Sequence, residues 1–327
     1  MELVLNTYGT SLVKENGQLT VLHKDGKQTI PLDKLKTITI SKGAKISSDA
    51  ALLAIENEIE ILFVDDTGKP QGRLWSIKYG SVSTIRRKQL DFTFSLAAVE
   101  WIKELLVQKF DNQIALLLSI APVDWEYQNK LEKAIQRIND YKEKVKHQEA
   151  FVISDIAPSL RGWEGAASKN YFEIVSLLLP EEYRFKSRTQ HPATDIFNAL
   201  LNYGYGILYG KIEGALIKAG LDPYVGVMHR EDYNRPVLVF DVIEKFRIWI
   251  DYVVVKLLQH KAINEDCFSI KEDGSYWLEA LGKRILIQSV NDYLEEVILM
   301  NGLNRSRAAH IDLYAQKLAQ QILKFKN

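Results

Sequence analysis

The sequence has one cysteine, no excess of either charge and no long apolar run. Cys267 alone excludes an intramolecular disulfide and any zinc site built on cysteines, and it fits a reducing cytoplasm. No apolar stretch approaches the about 18 residues of a membrane span. The opening residues, MELVLNTYGT, show no basic leader before an apolar core, so the expectation is a chain without a signal peptide. The expected protein is therefore soluble and cytoplasmic, without a membrane partner. Lys plus Arg and Asp plus Glu each total 42, for a net charge of +0. That balance argues against a chain coated in positive charge. It leaves room for a basic groove balanced by acids elsewhere, because local field steers a polyanion. Internal repeats and low-complexity tracts are absent. So is a phosphate loop of the G-x-x-x-x-G-K-[ST] type, which speaks against nucleotide hydrolysis.

What is present is an ordinary globular composition. The 327 residues are 46% hydrophobic and 26% charged, enough for one large core or two smaller ones. The grammar changes along the chain. Up to about residue 80 it consists of short β-branched stretches with near-alternating polarity: ELVLNTYG, SLVKENGQLTVLHKDGKQTIPL and KLKTITISKG. ENG, KDG and KG punctuate them as tight turns. SDAALLAIEN, residues 48 to 57, reads as one short helix capped by Ser48 or Asp49. IEILFVDD reads as a buried strand, and KPQGRLWSI as a turn and a strand.

Past Ser81, prolines are few and glycines widely spaced. Leu96, Val99, Ile102, Leu105 and Leu106 repeat at helical spacing. Helices are expected over 82–120, 123–147, 161–178, 194–219, 237–260, 275–299 and 305–325. SIKYGSVSTIRRK, residues 76 to 88, is the candidate linker. The fold class is α+β: a small β-rich N-terminal domain, residues 1–80, and a larger all-α C-terminal domain, residues 81–327.

Three acids and a histidine stand in unusual company. In VGVMHREDYNRPVLVFDVIEKFR, His229 ends one apolar stretch, and Asp241 and Glu244 interrupt another. On a helix these two acids share a face, i to i+3. Val239, Ile243, Phe246 and Ile250 form a separate apolar arc. A solvated acidic face is the ordinary outcome of such a pattern, and a lone histidine is more often structural than a ligand. Against this, Phe240, Ile248 and Trp249 flank the acids where lysines and glutamates would border open water. Earlier, Arg161-Gly-Trp-Glu164-Gly-Ala-Ala sets Glu164 before three small residues, which allow close approach of another element. A cap at a helix start is the plain alternative for Glu164. Together, Glu164, His229 and Glu244, with Asp241 nearby, offer hard oxygens and one imidazole. That donor set suits Mg²⁺ or Mn²⁺ better than zinc. Such an ion suits phosphodiester chemistry.

The sequence blocks carry a resemblance. WEGAASKNYF, LNYGY, AGLDPYVGVMH and FDVIEKFR occur in that order, and with their surroundings they closely resemble the CRISPR-associated spacer-acquisition endonucleases, the integrases of CRISPR adaptation. The likeness covers about residues 85 to 300. It implies a divalent-metal-dependent DNA endonuclease and integrase that inserts short DNA into a repeat array by 3′-OH transesterification. It also implies metal ligands at Glu164, His229 and Glu244, with Asp241 as a supporting acid. A homodimer formed through the N-terminal domain is implied too. So is a heterohexamer with a small ferredoxin-like partner, holding double-stranded DNA. A transposon-borne integrase is the alternative enzyme, and a non-catalytic DNA-binding scaffold the alternative without chemistry.

Candidate phosphate contacts are Arg161, Lys169, and Arg184, Lys186 and Arg188 of the RFKSR stretch, with Arg86, Arg87 and Lys88 as further basic residues. Surface ion pairing is an equally ordinary fate for each. Tyr203 through Tyr209 reads as an aromatic core stripe, with Asn202 and Tyr205 close to the site.

Overall fold

The computed structural model describes residues 2–33, 35–65, 68, 70–74, 83–123, 125–229 and 235–325. The chain divides into two compact units, Met1–Ser81 and Val82–Asn327.

The first unit obeys its alternating pattern. Strands β1 (Glu2–Leu5), β2 (Ser11–Glu15), β3 (Gln18–His23), β4 (Gly26–Ile30), β5 (Thr37–Ser41) and β6 (Lys45–Ile46) precede helix α1 (Ser48–Glu56). Strands β7 (Glu60–Val64) and β8 (Pro70–Leu74) come after it. One sheet runs β1-β5-β7-β8, parallel except at its β8 edge. The other runs β4-β3-β2-β6. Asn16 and Gly17 both have positive φ, 50° and 77°, as a two-residue hairpin turn between β2 and β3 requires. Leu12, Leu19, Ile38 and Ile61 are fully buried in this unit's core. The cap of α1 is Ser47, just before the expected Ser48 or Asp49. Its hydroxyl accepts from the Ala50 N–H at 3.2 Å.

The second unit is mostly helical. It comprises α2 (Ser83–Phe92), α3 (Leu96–Ile120), α4 (Gln128–His147), α5 (Ala157–Leu178), α6 (Ile196–Lys218), α7 (Val237–Ile243) and α8 (Arg247–Gln259). Strands β9 (Phe268–Ile270) and β10 (Tyr276–Leu278) form a hairpin before α9 (Ala280–Glu295). Strands β11 (Val297–Met300) and β12 (Leu303–Ser306) form a second hairpin before α10 (Arg307–Lys324). The unit is therefore not all-α. The expected 275–299 helix gives up both ends to strands, and the Asn301-Gly302 turn, again with positive φ at both residues, supplies the reason for the second. The expected 82–120 helix breaks at Thr93–Ser95, where the Ser95 hydroxyl caps α3 by accepting from Ala98. The candidate linker lies outside the described residues up to 82, and from Ser83 onward it is helix. The polar turn after His229 also lies outside the described residues, from 230 to 234.

Helix α3 packs against α4, α5 and α8, while α6 packs against α7, α8, α9 and α10. Gly204 makes one of these approaches possible: a Cβ there would fall 2.5 Å from the Ile250 Cγ2 of α8. The expected 237–260 helix is interrupted at 244–246. Bonds there reach back three residues, from Lys245 to Val242 and from Phe246 to Ile243. The Asn112 side chain of α3 donates to the freed Lys245 carbonyl at 3.0 Å. Phe246 turns into the core against Trp249 and Tyr314. Glu244 thus stands at a corner between two helices.

Candidate active site

Asp241 is fully buried, at 0% exposure. Its Oδ2 accepts from the backbone N–H groups of Val227 at 2.7 Å and Met228 at 3.2 Å. Its Oδ1 accepts from the His229 N–H at 3.2 Å and lies 2.7 Å from the His229 Nδ1. A carboxylate can only accept, so Nδ1 carries a proton, and in the neutral ring Nε2 keeps its lone pair. Burial would lower the basicity of His229. The Asp241 hydrogen bond and charge, with a contribution from Glu244, outweigh it and raise the histidine's pKa from its ordinary value. The ring remains 30% exposed.

The loop before His229 is clamped from α2. The Gln89 amide donates to the carbonyls of Asp222 at 2.8 Å and Val225 at 2.9 Å, and its oxygen accepts from the Asp222 N–H at 2.9 Å. Gly226 allows the turn to fold tightly. A Cβ there would meet Val237 Cγ2 at 2.8 Å and the His229 carbonyl at 2.9 Å.

Glu164 lies well inside α5, which begins at Ala157, so it caps no helix. The expected close approach at its small neighbours holds only at Ala167, which is fully buried; a Cβ on Gly165 would meet nothing. Glu244 is 7% exposed and forms no solvated acidic face. Both carboxylates meet one cation, the Lys109 ammonium of α3. The Ser168 hydroxyl also donates to Glu164, at 2.9 Å, and the Arg247 guanidinium pairs with Glu244 at 3.0 Å. Burial alone would raise the Glu164 carboxyl. The Lys109 charge and hydrogen bond, the Ser168 bond and Arg247 overcome that and hold it at about 2. Lys109 itself is disfavoured by burial, but the two glutamates more than compensate and raise its pKa.

Two carboxylates drawn to one cation, and an imidazole in electrostatic reach of Glu244, are donors of the chemical type that Mg²⁺ or Mn²⁺ accepts. No group of three or more His, Cys, Asp or Glu side chains among the described residues is gathered so as to hold an ion. Lys109 supplies the positive charge between the glutamates instead.

Sequence reasoning missed Lys109 and Arg247, and a second buried network beside them. The Asp251 carboxylate accepts from the hydroxyls of Tyr171 at 2.9 Å and Tyr205 at 2.6 Å. Arg247 and Arg188 lie over the Tyr205 ring at 4.8 and 5.5 Å. Tyr203 is core, as the stripe suggested, whereas the Tyr205 hydroxyl is committed to Asp251. Arg188 also departs from expectation. Its guanidinium donates to Asn198 at 2.7 Å and to Asn202 at 2.5 Å, fastening the RFKSR stretch to α6. Arg184, Lys186, Arg161 and Lys169 are exposed. Arg161 touches the Met228 carbonyl at 3.3 Å.

Among the described residues no helix is long and apolar enough to cross a membrane. A two-sheet unit joined in sequence to a helical unit with a buried carboxylate–imidazole centre is the class that fold and site define. The chain belongs to the CRISPR associated protein Cas1 family, whose model matches residues 3–292. It is 34% identical to a CRISPR-associated endonuclease Cas1 of Archaeoglobus fulgidus, over 97% of this chain and 94% of that one. Its fold is similar to that of a casposase bound to integration product, with a TM-score of 0.83 at 21% identity over 100% of this chain and 91% of the other. It is also similar to a chain in a Cas6-RT-Cas1–Cas2 complex, with a TM-score of 0.81 at 23% identity over 98% of this chain and 35% of that one.

Proposed function

We propose that this chain is a divalent-ion-dependent DNA endonuclease and integrase of CRISPR adaptation. The observation that carries the reading is the convergence of Glu164 and Glu244 on one cation beside a histidine whose tautomer is fixed by a buried acid. Mg²⁺ or Mn²⁺ held by Glu164, Glu244 and the Nε2 of His229 would supply Lewis acidity toward a phosphoryl oxygen and orient an in-line displacement. The chain's own residues prepare for this. Asp241 pins the imidazole and keeps Nε2 directed away from itself. Lys109 and Arg247 hold both glutamates in place, and their charges favour the ionised form of Glu164. The substrate reading rests on the family and on the chemistry. A 3′-OH attacks a phosphodiester, a new P–O bond forms as another breaks, and neither ATP nor a covalent enzyme intermediate is needed. Exposed Arg161, Lys169, Arg184 and Lys186 are the side chains proposed to meet phosphates. Relatives named as endonucleases and the likeness to a chain of a Cas1–Cas2 complex support the DNA reading and a small second protein as partner. Dimerisation through the first unit belongs to the same proposal.

The test is strand transfer of a short duplex with free 3′-OH ends into a plasmid carrying a repeat, in Mg²⁺ or Mn²⁺. Wild-type protein joins the duplex. Glu164→Ala, His229→Ala and Glu244→Ala lose the activity by at least a hundredfold while retaining helical circular dichroism. Full activity in folded Glu164→Ala and His229→Ala proteins would refute the assignment.

A further inference from the structure

Lys109 is a charged residue in an apolar setting. It is 6% exposed, on the face of α3 that also buries Leu105, Leu106 and Phe110. Lysine is almost never buried unless paired, and here its partners come from two distant parts of the chain, α5 and the α7–α8 corner. Its three donors suit a bridge between carboxylates.

Charge balance constrains how an ion can enter. Glu164 and Glu244 carry two negative charges, and Lys109 and Arg247 in contact with them carry two positive ones. These four charges cancel one another, and the Asp241 carboxylate bonded to His229 stands beside them. A divalent ion added without any departure would leave net positive charge in a largely buried site, which is costly. One cation must yield. Arg247 is poorly placed to do so, since its guanidinium lies over the Tyr205 ring and it is rooted in α8. Lys109 has a flexible four-carbon stem, and its ammonium is held by hydrogen bonds to the two carboxylates themselves.

Resting on the reading of Glu164 and Glu244 as ligands, we propose that the Lys109 ammonium is the resident counter-ion of this pair and that a divalent ion binds by displacing it. Lys109 is thus a positioning residue: it keeps the two carboxylates converged in the ion-free protein and sets a threshold that an incoming ion must exceed.

The experiment uses the full-length protein and Mn²⁺. Binding is measured by equilibrium dialysis for wild type, Lys109→Met and Glu164→Gln. In parallel, lysines are reductively methylated with formaldehyde and cyanoborohydride, with and without saturating Mn²⁺, and Lys109 is tracked by peptide mass spectrometry. Lys109→Met is expected to bind Mn²⁺ at least tenfold more tightly than wild type. Lys109 in wild type is expected to be protected without Mn²⁺ and methylated with it, while exposed lysines label equally in both. Mn²⁺ binding to Lys109→Met no tighter than to wild type overturns the displacement. So does protection of Lys109 that persists in Mn²⁺-saturated wild type, and this second readout decides alone if Lys109→Met does not fold. Wild type that binds no Mn²⁺, or Glu164→Gln that binds it as well as wild type, overturns the ligand reading and the displacement with it.

Discussion

Asp241 and His229 are joined at two points, through the histidine's backbone N–H at 3.2 Å and its ring Nδ1 at 2.7 Å. One carboxylate therefore fixes both where the residue sits and how its ring is turned. The same carboxylate satisfies the N–H groups of Val227 and Met228, so it also shapes the segment that delivers the histidine.

Asp241→Asn separates folding from chemistry. The amide can accept through one oxygen only, and its NH₂ would face backbone donors. Unfolding in urea is expected to show a loss of about 2–4 kcal/mol, together with loss of strand transfer. His229→Ala should lose strand transfer too, at a stability cost within about 1 kcal/mol. If the two variants are equally stable, Asp241 does not have the organising role described.

Gly226→Ala tests the tight turn. The added methyl meets the His229 carbonyl and the backbone of Val237, neither of which can step aside as a side-chain tip would. The expected cost is about 1–3 kcal/mol. Strand transfer should fall at least tenfold as His229 shifts from Asp241. A variant with wild-type melting temperature and wild-type activity would contradict the geometry.

The basic residues of RFKSR should part company. Arg188→Ala removes the bonds to Asn198 and Asn202, so it is expected to lower stability by about 2 kcal/mol. Lys186→Ala should leave stability within about 0.5 kcal/mol. If Lys186 meets a phosphate, its removal should reduce the slope of log K for duplex DNA against log salt by about 0.9. An unchanged salt slope removes Lys186 from the DNA surface.

Much of this was legible because it is periodic or local. The alternating stretches of the first unit became strands, and the apolar arc of Val239, Ile243, Phe246 and Ile250 became core. The acids within VLVFDVIEKF could be suspected because charge is costly in such surroundings. The helix break at 244–246 left no sequence signal, since neither proline nor glycine marks it; a long-range bond from Asn112 and the burial of Phe246 produce it. Lys109 was equally silent. One lysine in an amphipathic helix reads as surface, and only the fold reveals that its face is covered. Arg188 misled for the opposite reason: it sits in a basic cluster, but α6 offers it two asparagines.

The corner at Glu244 has a consequence for folding itself. Glu164, His229 and Glu244 come from a helix interior, a loop and a bend, so the unfolded chain presents no pre-assembled cage for an ion. Whatever affinity the native centre has for Mn²⁺ becomes added resistance to unfolding, growing with the logarithm of ion concentration. Because Lys109 and Arg247 already neutralise the two carboxylates, that resistance is a supplement, and the ion-free chain is a finished fold without it.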